Sequence, residues 1–345
     1  MKKYRVLHYL SFCILLIAAL GLCLACNGSG SAELGPTLQP LPSETPLPIV
    51  IEAIPTPAPT PEPTEAPTEA PPTLPPTITL FGREFDTSAE TINLDGVPME
   101  NTDALFDALR YFPTLTRVEM DNTGLSDDQI GELTYAFPQI RFVWTIQLRY
   151  TRYKLKTDVT AYTTYVAPAA GYPRLTSADV ESLKYCTDLM ALDLGHNSIS
   201  DLSFLEPLKK LEILILCDNR VSDISVLESL KELSYIELMM NKVTDVSALA
   251  TLPKLQDLHL GSNLISDFSP LYTCSQLQRL WVPSQFGNTF PKDSRAALEE
   301  NLPDCTFMFN YEKGDGDNHI WRTHPRYDWM KAIFRAGTVA PKVKG

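Results

Sequence analysis

The sequence predicts an α/β solenoid, with a curved parallel β-sheet on the concave side, short helical or 3-10 turns on the convex side, and helix-bearing repeats at the flanks. Two sets of polar residues and three apolar columns predict it. Asn197, Asn219, Asn241 and Asn263 recur every 22 residues, as do Asp201, Asp223, Asp245 and Asp267. Leu189, Leu211, Leu233, Leu255 and Leu277 form one apolar column at the same period. Leu192, Leu214, Ile236, Leu258 and Leu280 form a second, and Leu194, Leu216, Leu238, Leu260 and Val282 a third. A unit this short cannot bury its apolar side alone, so stacked units must share one continuous core.

The spacing L-x-x-L-x-L-x-x-N is the leucine-rich-repeat signature. Each unit opens with a short strand, such as Ala191 to Gly195, whose leucines point inward. The chain turns at the asparagine, whose amide satisfies backbone groups that the turn leaves unpaired. Ile199, Val221, Val243 and Ile265 plug the core after the turn. A Ser-Asp or Thr-Asp pair follows, and the aspartate caps the short helical turn that begins there. Leu205, Leu227, Leu249 and Leu271 close the convex side. The asparagine and aspartate ladders are therefore turn and cap residues rather than a metal or catalytic array.

The stretch Asn263-Leu264-Ile265-Ser266-Asp267-Phe268-Ser269-Pro270-Leu271 is similar to the 22-residue repeats of the internalin and SDS22-like class. The resemblance runs from about Leu189 to Val282. It implies a bacterial surface protein that binds other proteins through the concave sheet. With four full repeats and no C-terminal sorting motif, it implies fold and surface recognition rather than host-cell invasion.

The flanks vary the theme. Phe112-Pro113-Thr114-Leu115 recurs 25 residues later as Phe137-Pro138-Gln139-Ile140, which aligns Val118 with Val143. Leu105, Phe106, Leu109 and Phe112 mark one amphipathic helix, and Ile130, Leu133 and Phe137 a second that starts with a Ser126-x-x-Gln129 capping box. Leu298 and Leu302, then Pro303-Asp304-Cys305, Phe307 and Phe309, repeat the pattern near the C-terminus. These longer units are expected to help cap the solenoid. Between the flanking and central repeats, residues 145–165 read as a β-rich insertion. It carries Arg149, Arg152, Lys154 and Lys156 among Tyr150, Tyr153, Tyr162 and Tyr165. It is either a solvated hairpin or a basic-aromatic contact for a glycan or phosphate.

The first residues read as an export signal. Lys2, Lys3 and Arg5 precede an apolar run from Tyr9 to Leu24. Leu24-Ala25-Cys26 resembles the end of a bacterial lipobox, with Cys23 where that family has an aliphatic residue. The resemblance implies that Cys26 carries a diacylglyceryl group as the mature N-terminus. Ordinary cleavage and an uncleaved anchor are the other readings. Cys23-x-x-Cys26 falls within the signal, which argues against redox or zinc use. Residues 35–77 are rich in Pro, Thr, Glu and Ala and contain no Lys, Arg or aromatic residue. Such a segment cannot bury a core, and its prolines favour extended polyproline II. At ~3.1 Å per residue it reaches at most ~130 Å, a stalk through a cell-wall layer or a passive tether. The expected divisions are a signal over 1–26, a stalk over 27–77 and flanking repeats over 78–188. The central repeats then occupy 189–283 and a cap and tail 284–345.

A formal charge of -13 and a pI near 4.9 argue against nucleic acid and against adhesion to anionic lipid. Cys186 and Cys274 stand in the column otherwise filled by Leu208, Leu230 and Leu252, as buried substitutes for leucine. Four strands apart at ~4.8 Å each, they are too distant for a disulfide. Cys217 has no obvious mate, and Cys274 with Cys305 is the one pairing left open.

The strand positions that face away from the core are the ligand-binding candidates. One column reads Ala191, Ile213, Tyr235, Asp257 and Arg279, and the next Asp193, Ile215, Glu237, His259 and Trp281. Beyond them lie Gly195, Cys217, Met239 and Gly261, then His196, Asp218, Met240 and Ser262. Ile213, Ile215, Tyr235, Met239, Met240 and Trp281 are expected to form an exposed apolar patch rimmed by charge, the usual mark of an interaction surface. The alternative is that a flanking segment folds over this face. His196 and Asp218 share a column edge but lack the further ligands a metal needs. In the tail, Asp315-x-Asp317 lacks the ligand series of a calcium loop and reads as a polar turn before a helix. Trp329, Met330, Ile333 and Phe334 are that helix's apolar face, and Gly337 its end.

No G-x-S-x-G, H-E-x-x-H or phosphate-cradling loop is present. The sequence therefore predicts no catalytic residues, no cofactor and no metal. It predicts a membrane-tethered extracellular recognition module with a protein or cell-surface ligand. An accessory subunit of an envelope complex and an enzyme acting on cell-wall material are the alternatives.

Overall fold

Strands of three residues, each with one side chain turned inward between two turned outward, set the architecture. A computed structural model describes residues 74–148, 154–164, 173–283, 287–309 and 319–336, with 319 and 320 described by backbone alone. The signal with Cys26, the stalk up to residue 73, Arg149, Tyr150, Arg152, Tyr153, Tyr165, Asp315, Asp317 and Gly337 lie outside these residues.

Seven strands form the main parallel sheet: β8 (Ala161–Thr163), β9 (Ala191–Asp193), β10 (Ile213–Ile215), β11 (Tyr235–Glu237), β12 (Asp257–His259), β13 (Arg279–Trp281) and β14 (Thr306–Met308). They lie side by side in chain order. Leu192, Leu214, Ile236, Leu258 and Leu280 pair in register along the inward row, with Tyr162 before them and Phe307 after. The first five of these are fully buried. A 3-10 turn returns the chain on the convex side after each of β8 to β12, as at Ser225–Ser229 and Ser247–Thr251. The fold is thus a leucine-rich-repeat solenoid.

The asparagine ladder works as the spacing implied. Asn241 Nδ2 donates to the carbonyls of Leu216 at 2.8 Å and Leu238 at 3.0 Å, while its Oδ1 accepts from Val221 N at 2.9 Å. Each amide therefore joins two successive turns; Asn219 and Asn263 repeat the pattern, and Asn197 does so with the Thr164 hydroxyl in place of the earlier carbonyl. Asn288 extends it by one unit, donating to Leu260 O at 2.8 Å and accepting from Ile265 N at 3.1 Å. The preceding residue takes a positive φ in every central unit: His196, Asp218, Met240 and Ser262 lie between 54° and 62°. On the convex side Asp201, Asp223, Asp245 and Asp267 accept the N–H two residues on, at 2.8–2.9 Å, which is the first N–H of each 3-10 turn. Hydrogen bonds from Ser225, Ser247 and Ser269 hold the last three carboxyls below their ordinary pKa.

The N-terminal part has its own strands. An antiparallel hairpin of β1 (Thr77–Leu80) and β2 (Arg83–Asp86) precedes a three-stranded parallel sheet of β3 (Thr91–Asn93), β4 (Arg117–Glu119) and β5 (Arg141–Val143). Helices α1 (Asp103–Leu109) and α2 (Asp127–Ala136) connect these three strands. Ser126 and Gln129 make the expected capping box on α2. The alignment of Val118 with Val143 is corrected, because Val118 pairs with Phe142 and Glu119 with Val143. The second unit has one residue fewer between its Ile140 and its strand, so Phe142 takes the inward position. Phe106 is half exposed rather than core, with its ring 4.9 Å from Phe137 in an edge-on contact.

In the insertion, β6 (Thr145–Gln147) and β7 (Lys154–Lys156) pair antiparallel, and β8 then opens the main sheet. Lys156 lies 3.2 Å from both Glu119 and Asp121, so its charge is spent on the neighbouring repeat. At the far end α3 (Ser294–Asn301) leads into β14. Cys186, Cys217, Cys274 and Cys305 are all free thiols, and the first and third are buried as leucine substitutes. Among the described residues no helix is long and apolar enough to cross a membrane.

Candidate functional site

Register alone fixes the concave face. Ala191, Ile213, Tyr235, Asp257, Arg279 and Thr306 are Cα partners in one row, and Asp193, Ile215, Glu237, His259, Trp281 and Met308 in the next. These are the two columns read from the sequence. Their expected exposure is corrected. Ile213 and Tyr235 are each 1% accessible, Ile215 6%, Trp281 1% and His259 0%. Glu237, Asp257 and Arg279 are buried too. Met239 is half-buried, and Met240, at 44%, is the member of the expected patch that stays in solvent.

The cover is the C-terminal segment, as α4 (His319–Thr323) and α5 (Pro325–Ala336) lie on the sheet. Trp321, Met330 and Ile333 join Ala161, Ala191, Ile213, Ile215, Tyr235 and Trp281 in an apolar cluster separate from the core inside the solenoid. Partly buried Trp329, Phe334, Tyr327, Cys217 and Met308 pack around it. The helical spacing of Trp329, Met330, Ile333 and Phe334 gave α5 one apolar face, and the concave sheet is what that face meets. A flanking segment folds over the face because both surfaces are apolar and each lacks another partner.

Trp321 is the centre of the contact. Its ring lies 5.6 Å from Tyr235, 5.3 Å from His259 edge-on and 5.3 Å from Trp281. The Arg279 guanidinium sits 4.2 Å over it, a desolvated cation–π contact. The Trp321 indole N–H donates to Glu237 Oε1 at 2.9 Å, and the Tyr235 hydroxyl donates to the same oxygen. Burial pushes the Glu237 carboxyl above its ordinary pKa, against these two hydrogen bonds, which favour the charged form. Burial raises the Tyr235 phenol as well.

A second polar anchor lies beside the first. Asp257 takes Arg279 on one oxygen and Arg326 of α5 on the other, the latter at 3.1 Å. Arg326 also donates to Gln256 at 2.5 Å and Gln278 at 2.6 Å. One guanidinium therefore spans two repeats. The seal is incomplete, since Arg279 Nη2 and Trp281 Nε1 are buried donors with no acceptor among the described residues. A buried donor left unpaired costs about 1–3 kcal/mol.

At the sheet's turn edge, His196 Nδ1 lies 3.0 Å from Asp218, which also binds Arg174 at 2.8 Å. Burial opposes ionisation of Asp218, but hydrogen bonds from His196 and Arg174 win and lower its pKa. The aspartate is thus already engaged by protein side chains. Among the described residues no group of three or more His, Cys, Asp or Glu side chains is placed to hold a metal ion.

The sequence reading missed Trp321, Arg326, Gln256 and Gln278. A tryptophan shortly before the amphipathic helix and an arginine in that helix's first turn were the available signals for the first two. The glutamines sit just before their strands, in a position that repeat spacing treats as loop.

Comparison with known proteins agrees on the repeat. The family model for leucine-rich repeats, in two copies, matches residues 209–251. No curated protein matches the sequence. Among solved structures, the chain is similar to internalin C2 of Listeria monocytogenes, at 21% identity and a TM-score of 0.34, covering 64% of this chain and 80% of that one. It is similar to a second internalin of that organism, at 18% identity and a TM-score of 0.35, over 67% of this chain and 84% of that one. A leucine-rich-repeat protein of Leptospira interrogans gives 18% identity and a TM-score of 0.38, over 64% and 54%.

Proposed function

We propose that this chain is an extracellular protein-recognition module, tethered to the outer face of a bacterial membrane by lipid on Cys26 and raised on the proline-rich stalk of residues 27–77. The concave rows are its ligand-binding surface, with Ile213, Ile215, Tyr235, Glu237, Met239, Met240, Asp257, His259, Arg279 and Trp281 as the contact residues. One observation carries this reading: a sheet face rich in large aromatic and charged side chains already holds a helical segment through a buried tryptophan and a shared arginine. Aromatic anchors in desolvated pockets are the side chains on which protein interfaces depend.

The test is crosslinking capture by full-length protein against a matched Ile215→Glu, Trp281→Ala variant, offered envelope and surface proteins. A partner held by the wild type and lost by a folded variant supports concave recognition. Equal capture by both moves the site to the N-terminal repeats or the insertion. Labelling with a radioactive fatty acid, lost on Cys26→Ser, tests the tether. A structural or accessory role in an envelope complex is the second reading. The charged network of Arg117 with Glu119 and Asp158, each at 2.7 Å, favours it by offering a separate polar surface on the N-terminal sheet.

A further inference from the structure

The cover on the concave face differs in character from the rest of the molecule. The chain as a whole carries -13. Residues 319–336 run the other way, with Arg322, Arg326, Lys331 and Arg335 against Asp328 as the one acidic residue. The face they meet presents Asp193, Glu237 and Asp257 against Arg279. Arg326 is matched to Asp257, and Trp321 to Glu237. Asp193 is held by Thr163 and Gly195 of the sheet itself, each at 2.9 Å, and takes no hydrogen bond from the cover among the described residues. Arg279 Nη2 and Trp281 Nε1 lack acceptors under the cover. The occupant therefore matches the face in charge and in its aromatic anchor, yet leaves two donors of the face unpaired among the described residues.

We propose that the concave face is a helix-binding groove for a partner protein whose recognised segment is a cationic amphipathic helix bearing a tryptophan, and that α4 and α5 are a built-in competitor of the same chemistry. The inference rests on the recognition reading above and deepens it by naming the ligand class. Helix-in-groove recognition needs an apolar stripe for the groove floor and a few fixed polar contacts for register. Tyr235, Trp281 and Ile215 supply the floor, and Glu237 and Asp257 the register. A partner segment that sets its tryptophan just ahead of the helix carrying its arginine, as α4 and α5 do, makes the same contacts. One that also offers a carbonyl or carboxylate to Arg279 and Trp281 makes more. A competitor in the same chain acts at an effective concentration on the order of millimolar, so it sets a threshold that only a better-fitting helix exceeds. Apparent affinity falls in proportion to the fraction of molecules whose groove is open.

The experiment uses full-length protein and a fluorescent synthetic peptide of residues 319–336 as probe. The wild type is compared with a tail-weakened variant, Trp321→Ala with Arg326→Ala, by anisotropy titration. Circular dichroism and thermal unfolding confirm that the repeats stay folded. The variant should bind the probe at least ~10-fold more tightly than the wild type, because its groove is open for more of the time. Adding Asp257→Asn to the variant should reverse that gain, and a probe with arginine replaced by glutamate should not bind. Cys217, packed beside the tail, gives a second readout: its alkylation should be faster in the variant and slowed again by saturating probe. A folded variant that alkylates faster yet fails to bind the probe overturns the proposal. So does equal affinity in both proteins. A concentration-dependent wild-type dimer that exchanges tails overturns the partner reading in favour of a second copy. If the probe fails while the capture experiment still finds a concave-face partner, recognition stands and the ligand class falls.

Discussion

From β10 to β13 both faces of the main sheet are buried, and they are buried by opposite means. The inward row from Leu192 to Leu280 is aliphatic throughout and covered by the next turn of its own repeat. The outward rows mix Ile, Tyr, Glu, Asp, His, Arg and Trp and are covered by helices far away in sequence, as the 84-residue separation of Trp321 from Glu237 shows. Local cover has to be apolar and uniform, because each unit must fit identical neighbours. Distant cover is a docking event, with aromatic anchors, shared charges and imperfect satisfaction, and so has the composition of an interface. Burial alone therefore does not separate core from binding surface. The sequence distance and polarity of the covering segment do.

Substitutions on each face sharpen this contrast. Leu258→Ala removes a fully buried side chain from the inward row and should cost about 2–5 kcal/mol of global stability, read by chemical denaturation. A loss below about 1 kcal/mol would mean the row is not the core. Trp321→Ala should cost about 3–5 kcal/mol, but of tail docking alone. Hydrogen exchange should rise over residues 319–336 and stay slow in the strands. Exchange rising equally in both would erase the distinction between the faces.

Asn241→Ala removes the amide that joins two turns and strands the Val221 N–H, while the Leu216 and Leu238 carbonyls keep the amides of Asn219 and Asn263. That buried orphan costs about 1–3 kcal/mol, and a global loss should again appear in denaturation. Asp245→Ala deletes a solvent-facing cap on Ser247 and should cost about 0.5–2 kcal/mol. These two separate the ladders, with the buried amide outweighing the exposed carboxylate.

The smallest effect is in pH. Burial raises the Glu237 pKa above its ordinary 4.5, so the docked state holds a proton that the undocked state gives up earlier. Docking should therefore be strongest at acid pH. It should weaken as pH rises from about 4.5 through the raised value and then level off. Burial shifts Asp193 the same way, and that carboxylate also raises the Glu237 pKa, while Arg322 opposes the shift. Glu237→Gln keeps an acceptor for Trp321 and should flatten this dependence, followed by Trp fluorescence against pH. An unchanged profile would place the titration at another group.

The repeat architecture was legible because a 22-residue period writes every inward and outward position in fixed columns. The asparagine turns, the aspartate caps, the leucine-substituting cysteines and the Ser126 capping box all follow from spacing. What spacing missed lies where the period breaks. Asn288 comes 25 residues after Asn263 and escaped the ladder, although its amide does the same work. Val118 pairs one residue away from the position that the Phe-Pro alignment gave, because the strand needs side-chain alternation more than it needs a constant insertion length. Strand β8 carries Ala161-Tyr162-Thr163, with no leucine to mark it.

The solenoid, the identity of its two outward rows and the apolar face of the last helix are each a local periodicity, readable from residue spacing. That the last two belong together emerges only from the folded chain. Docking of α4 and α5 on the sheet depends on complementarity between surfaces with no common period. Trp321 fits among Tyr235, His259 and Trp281, and Arg326 reaches Asp257, only once the stacked repeats have placed those side chains on one face.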